Sequence, residues 1–214
     1  MLVSFGDEIS RPLHENVLRL TNALLSENKS FLRNVHPAYA TVLISFDPML
    51  ASFSAVHRYV ESVLKKINSF PLPKRREIEI PVCYGGEFGP DLNDVASCNN
   101  LSLDEVVRIH SSGEYLVYFL GFSPGFPYMG GLSNKIATPR LATPRRKTPV
   151  GSVAIGGNQT GIYPVSSPGG WRIIGRTPVR IFRRDGEHPT LLQMGDLVRF
   201  KSITKDEFDG SKTE

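Results

Sequence analysis

Residues Tyr115–Gly131 read YLVYFLGFSPGFPYMGG. The apolar run Tyr115–Phe122 has the composition of a strand. Overlapping its end, Gly121-Phe122-Ser123-Pro124-Gly125 fits G-x-S-x-G, the nucleophile elbow of serine hydrolases. Taken as an elbow, it would make Ser123 a nucleophile. The chemistry argues against this. An elbow needs the N–H of the residue after the serine for its oxyanion hole and a helix directly beyond. Here that residue is Pro124, which has no N–H, and Pro127 pushes Phe126 toward extended geometry. The one histidine downstream is His188, with no acid–histidine pair in the required order. The stretch instead reads as a stiff loop whose aromatics, Phe122, Phe126 and Tyr128, wall a pocket or an interface.

Beyond this loop, Gly and Pro recur every few residues up to Pro178, with short apolar runs between them: Val153–Ile155, then Trp171–Ile174. Val179–Phe182, Leu191-Leu192 and Leu197–Phe200 add further expected strands, with a turn at Gln193–Asp196. Many short strands separated by turn signals predict a closed barrel or a sandwich. Before the loop the texture differs. Strands are expected at Leu2–Phe5, Ala40–Phe46 and Glu77–Cys83. Amphipathic helices are expected at Pro12–Glu27 and at Ala51–Ile67, the second with Phe53, Val56, Val60, Val63, Leu64 and Ile67 inward. Strand–helix–strand–helix–strand predicts a small ferredoxin-like unit. A helical turn is expected at Asp91–Ser97, and a helix from Ser102, where Ser102 and Glu105 match a capping box. That helix places His110 in its last turn, where positive charge suits the dipole. The fold class is therefore α+β, with a small unit over 1–80, a barrel over 81–206 and a polar tail over 207–214.

The 214-residue chain carries a net charge of +4, which hides an asymmetry. From Tyr115 to Arg184 there is no Asp or Glu, and there are ten basic residues; the remainder of the chain nets −6. Most of these side chains read as a solvated basic face, and a subset of the arginines as a site for carboxylate or phosphate. No basic helix or RNA-binding signature accompanies it, so no nucleic acid partner is expected. No apolar run is long enough to span a membrane. Cys83 and Cys98 read as free thiols of a cytoplasmic protein. Phosphate-loop, dinucleotide, zinc-protease and C-x-x-C signatures are absent, and the five histidines are scattered, so no metal site is expected. What remains is a second loop system, Pro149–Pro164 (PVGSVAIGGNQTGIYP) and Ser167–Arg176 (SPGGWRIIGR). Its glycines permit close backbone approach to a ligand. Gln159 and Thr160 offer polar groups, and Arg172 and Arg176 could fork onto an anion.

Taken together, IPVCYGGEFGPDLNDVA, the EVV-x-IHS of the helix after Ser102, YFLGFSPGFPYMGGL, the two TPR triplets at 138–140 and 143–145, GSVAIGGNQTGIYP, SPGGWRIIGRTP and GDLVRF resemble the allophanate hydrolase subunit 1 family. The resemblance implies a cyclophilin-like C-terminal β-barrel. It also implies work in an ATP-dependent 5-oxoprolinase, which opens 5-oxoproline to L-glutamate. The implied partners are an allophanate hydrolase subunit 2-type protein and a TIM-barrel-like 5-oxoprolinase A subunit, with ATP shared within the complex. The same family contains KipI-type inhibitors of a sporulation histidine kinase and subunits of urea or allophanate breakdown. Under the enzyme reading, Arg172 and Arg176 are candidates for substrate carboxylate or phosphate, and His110 for proton transfer. Phe126, Tyr128, Arg140, Arg145, Gln159, Thr160, Gly161, Tyr163 and Trp171 are candidates to bind substrate.

Overall fold

The computed structural model describes residues 1–185 and 189–211, and His188 lies outside them. The chain divides into two compact units, 1–74 and 75–214.

The first unit contains β1 (Leu2–Ser4), α1 (Arg11–Ser26), β2 (Leu32–Pro37), β3 (Thr41–Phe46) and α2 (Phe53–Leu64). Pro12 sits in the first turn of α1, where its missing N–H costs nothing. Val17, Leu20 and Leu24 bury one stripe of that helix. Ser52 caps α2 by accepting the Ala55 N–H, and Val56, Val60 and Val63 are buried. Phe53, expected inward, is exposed: it is the first residue of the helix and precedes the buried stripe. The sheet runs β1–β3–β2, all antiparallel. The expected ferredoxin-like unit is not reached. Its order is βαββα, and the strand at 77–84 that would supply the last element pairs in the barrel instead. Loss of that strand also moves the boundary between units from residue 80 to residue 74.

The second unit holds β4 (Glu77–Tyr84), α3 (Leu92–Cys98), α4 (Leu103–Ser111), β5 (Glu114–Leu120), β6 (Pro127–Gly130), β7 (Arg145–Thr148), β8 (Ser152–Gly156), β9 (Gln159–Ile162), β10 (Ser167–Gly169), β11 (Arg172–Arg176), β12 (Leu197–Ser202) and α5 (Lys205–Gly210). Seven strands close a barrel in the order β11–β4–β12–β5–β6–β9–β8, so the expected closed barrel is present. The capping box at Ser102 and Glu105 forms as expected. β4 and β12 pair in parallel from Glu77↔Leu197 to Val82↔Ser202. β7 and β10 form a separate antiparallel ribbon. The strand expected at Val179–Phe182 reduces, among the described residues, to one bridge, Phe182↔Thr190; Pro178 and Pro189, which precede the two sides, donate no N–H. The expected polar tail overlaps a short capped helix, α5, whose Phe208 is buried against Phe88.

Strand periodicity divides the side chains between two clusters. Val153 and Ile155 of β8, Ile174 of β11 and Met129 of β6 join the main core, with Val82, Val117, Val198 and residues of α3 and α4. Their neighbours Ala154, Ile173 and Tyr128 take the opposite face and build a second cluster with Phe126, Tyr163 and Trp171.

Candidate functional site

The second cluster walls a cavity of about 320 Å³, lined by Phe122, Phe126, Tyr128, Arg140, Leu141, Pro144, Tyr163, Pro168, Gly169, Gly170 and Trp171. The aromatic rings meet edge to face: Phe126 with Tyr163 at 5.1 Å, Phe126 with Trp171 at 5.5 Å and Tyr128 with Trp171 at 5.9 Å. This arrangement is the one the ring quadrupoles favour. Glycines let the rings approach. A Cβ on Gly156 would stand 2.6 Å from Trp171 Nε1, and one on Gly161 would stand 2.8 Å from Phe126 Cζ.

The loop from Gly121 to Phe126 forms one rim. Ser123 N–H donates to Gly121 O, closing a γ-turn centred on Phe122. Phe126 N–H donates to Ser123 O across Pro124 and Gly125, whose φ of +78° suits position three of a type II turn. Two turns in succession leave no helix, and the buried Ser123 hydroxyl has no hydrogen-bond partner among the described residues. The structure has no nucleophile elbow.

Of the expected site residues, Phe126, Tyr128, Arg140, Tyr163 and Trp171 come together at the cavity. Arg140 lies over the Trp171 ring, 5.7 Å from its centroid, and has no carboxylate partner among the described residues. Burial raises the Tyr163 pKa against the pull of the Trp171 backbone N–H and of Arg140 and Arg145.

The other expected arginines are held elsewhere. Arg145 donates to Asp91 at 2.5 Å, and Arg172 donates to Asp94 at 2.5 Å and to Pro139 O. Arg176 donates to Val150 O. The acid-free stretch is therefore partly neutralised in space by acids at the start of α3, and neither Arg172 nor Arg176 lines the cavity. Sequence reading missed Asp91, which is buried and fixes the site's frame. One carboxylate oxygen accepts from Arg145 and the other from Ile173 N–H at 2.7 Å, while Asp91 N–H donates to Ile173 O. Its only sequence signal is its place ahead of α3.

His110, Gln159, Thr160 and Gly161 do not line the cavity. His110 is fully buried, stacked on Phe200 at 4.7 Å. The Thr160 hydroxyl donates to Ala154 O, so it accepts His110 Nε2–H, and Nδ1 accepts the Tyr84 hydroxyl. Every proton in this row is committed. Burial drives the His110 pKa down to about 3, so the ring is a neutral core bridge outside the cavity. Among the described residues no group of acids, histidines and cysteines could hold a metal, and no helix is long and apolar enough to cross a membrane.

A small α+β unit, followed by a closed seven-stranded barrel, defines the class: a two-unit protein whose barrel carries an aromatic cavity with Arg140 at its rim. Residues 1–192 match the family described as carboxyltransferase domain, subdomain C and D. The chain belongs to this family, which is that of allophanate hydrolase subunit 1. It is 43% identical over 226 residues to the 5-oxoprolinase B subunit of Bacillus subtilis (strain 168), an alignment covering 100% of this chain and 93% of that one. The crystal structure of TTHA0988 superposes with a TM-score of 0.85 at 36% identity, covering 95% of this chain and 39% of that one. This chain thus spans about two fifths of that protein. The uncharacterized protein PH0987 from Pyrococcus horikoshii is 47% identical, with a TM-score of 0.61, and the match covers 97% of this chain and 95% of that one.

Proposed function

We propose that this chain is a subunit of an ATP-dependent 5-oxoprolinase and that its aromatic cavity receives the cyclic amide. The observation that carries the reading is the pairing of an aromatic box with Arg140, a guanidinium that has no carboxylate partner among the described residues, in a chain 43% identical end to end to a protein named as the B subunit of 5-oxoprolinase. A five-membered lactam presents flat apolar faces to rings such as Trp171 and Phe126. Its carboxylate suits Arg140, an exposed guanidinium at the cavity rim that can donate charge-assisted hydrogen bonds.

An amide resists water because of its resonance. In the proposed reaction the lactam oxygen attacks the γ-phosphorus of ATP and ADP leaves. Water then adds to the activated carbon, the C–N bond opens and phosphate departs after a second water. The sum is 5-oxoproline, ATP and two waters giving glutamate, ADP and phosphate. The cavity is lined mainly by aromatic and apolar residues with one cation, Arg140, so we place ATP chiefly on companion subunits: an allophanate hydrolase subunit 2-type protein and a TIM-barrel-like A subunit. This chain's part is to hold and orient the lactam, which is where most of the rate in phosphoryl transfer originates.

The test is to purify the chain with those companions and follow ATP hydrolysis with and without 5-oxoproline. Arg140→Gln is expected to raise the KM for 5-oxoproline by about tenfold or more, the value of one charge-assisted contact. Failure of the companions to bind, or an unchanged KM, refutes the reading.

A further inference from the structure

We infer that Phe122 is a ligand clamp: its ring is held at the cavity mouth to close over a small planar carboxylate whose anionic end faces Arg140. The inference deepens the function proposed above and rests on it for the identity of the ligand.

Three non-glycine residues have positive φ among the described residues: Asn28, Asn100 and Phe122 at +61°. Asparagine tolerates that region, and a bulky aromatic does not. Phe122 is the centre of the γ-turn closed by Ser123 N–H and Gly121 O at 2.6 Å, a strained conformation. Its ring does not recover that cost by packing within the chain. It is 63% exposed. Its contacts are edgewise, to Phe126 at 5.6 Å and to Tyr163 at 6.4 Å, and both of those rings line the cavity. Glycine would adopt this backbone without strain. A phenylalanine kept here both strained and wet has its use when the cavity is filled, because a ligand beneath it would remove the ring from water. Strain held at a ligand-facing position is the pattern expected of a binding residue. The ligand class follows from the walls: rings on several sides select a flat body, and Arg140 above Trp171 selects a negative charge at one edge.

Trp171 is the single tryptophan of the chain and lines the cavity, so its fluorescence reports binding directly. The experiment titrates 5-oxoproline and, separately, benzoate into wild type, Phe122→Gly and Phe122→Ala, with thermal unfolding of each. The expected result is a dissociation constant at least tenfold weaker in both variants, with Phe122→Gly melting above Phe122→Ala because glycine relieves the strained φ. Wild type that binds benzoate but not 5-oxoproline, with both variants losing benzoate, upholds the clamp while sinking the substrate proposed above. The clamp is overturned if the variants bind as wild type does, if wild type binds neither probe, or if Phe122→Gly melts several degrees below Phe122→Ala.

Discussion

Replacing Asp91 by alanine tests whether the site's frame hangs on one buried carboxylate. The side chain is nearly inaccessible and serves two donors, Arg145 Nη2 at 2.5 Å and Ile173 N–H at 2.7 Å. Alanine leaves a part-buried guanidinium without its partner. Breaking a buried pair from one side costs about 3–5 kcal/mol. The lower end applies here, because 29% of the Arg145 side chain remains accessible and water can screen it. The orphaned Ile173 N–H adds about 1–3 kcal/mol. The two losses share one group and are not additive, so about 4 kcal/mol is expected in total. For a unit of this size that is roughly an 8–16 °C fall in Tm. Asp91→Asn keeps an acceptor for Ile173 and loses the charge, so it should fall about half as far. Urea unfolding followed at Trp171 gives both numbers, since Ile173 lies two residues along the same segment. A loss below about 1 kcal/mol in Asp91→Ala would refute the reasoning, as would equal losses in the two variants.

His110 predicts a pH dependence. Its ring titrates near 6.5 when unfolded and at about 3 when folded. Below pH 6.5 the unfolded chain therefore binds a proton that the folded chain refuses, and stability falls with pH until about 3. At pH 5 the loss is about 2 kcal/mol, and urea midpoints at pH 7 and pH 5 should show it in wild type but not in His110→Gln. Its neighbours Tyr84 and Tyr115 do not titrate in that range, because burial raises both. Gly156→Ala drives a methyl into the Trp171 ring. It should cost about 1–3 kcal/mol and shift Trp171 emission to the red; a wild-type spectrum would contradict the packing described.

Much of the barrel is legible along the chain because its strands announce themselves by composition. Val153–Ile155 and Leu197–Phe200 are apolar runs between turn residues, and the Ser102 capping box marks its helix without ambiguity. The missed strands carry no such mark. β2 reads LRNVHP and β7 reads RRKT, polar segments whose pairing comes from their neighbours rather than from their own residues. Glu77–Cys83 was legible as a strand but not as a barrel strand, since only its partners decide that. The aromatic half of the site was visible in the Gly- and Pro-rich loops. Its electrostatic half was not. The acids that hold Arg145 and Arg172 lie 54 and 78 residues away, and no local pattern reveals a pair closed only by the fold.

The parallel seam between β4 and β12 has a consequence for biosynthesis. A strand begun at residue 77 finds this neighbour only when residue 202 has been made. At about 5–20 residues per second, that is a wait of roughly 6–25 s. Throughout it the nascent barrel has an unpaired flank, and its apolar strands are available to the wrong neighbour. The preceding unit pairs its strands within its first 46 residues and carries no such delay. On the ribosome, the half that carries the cavity is thus the half that depends on shelter.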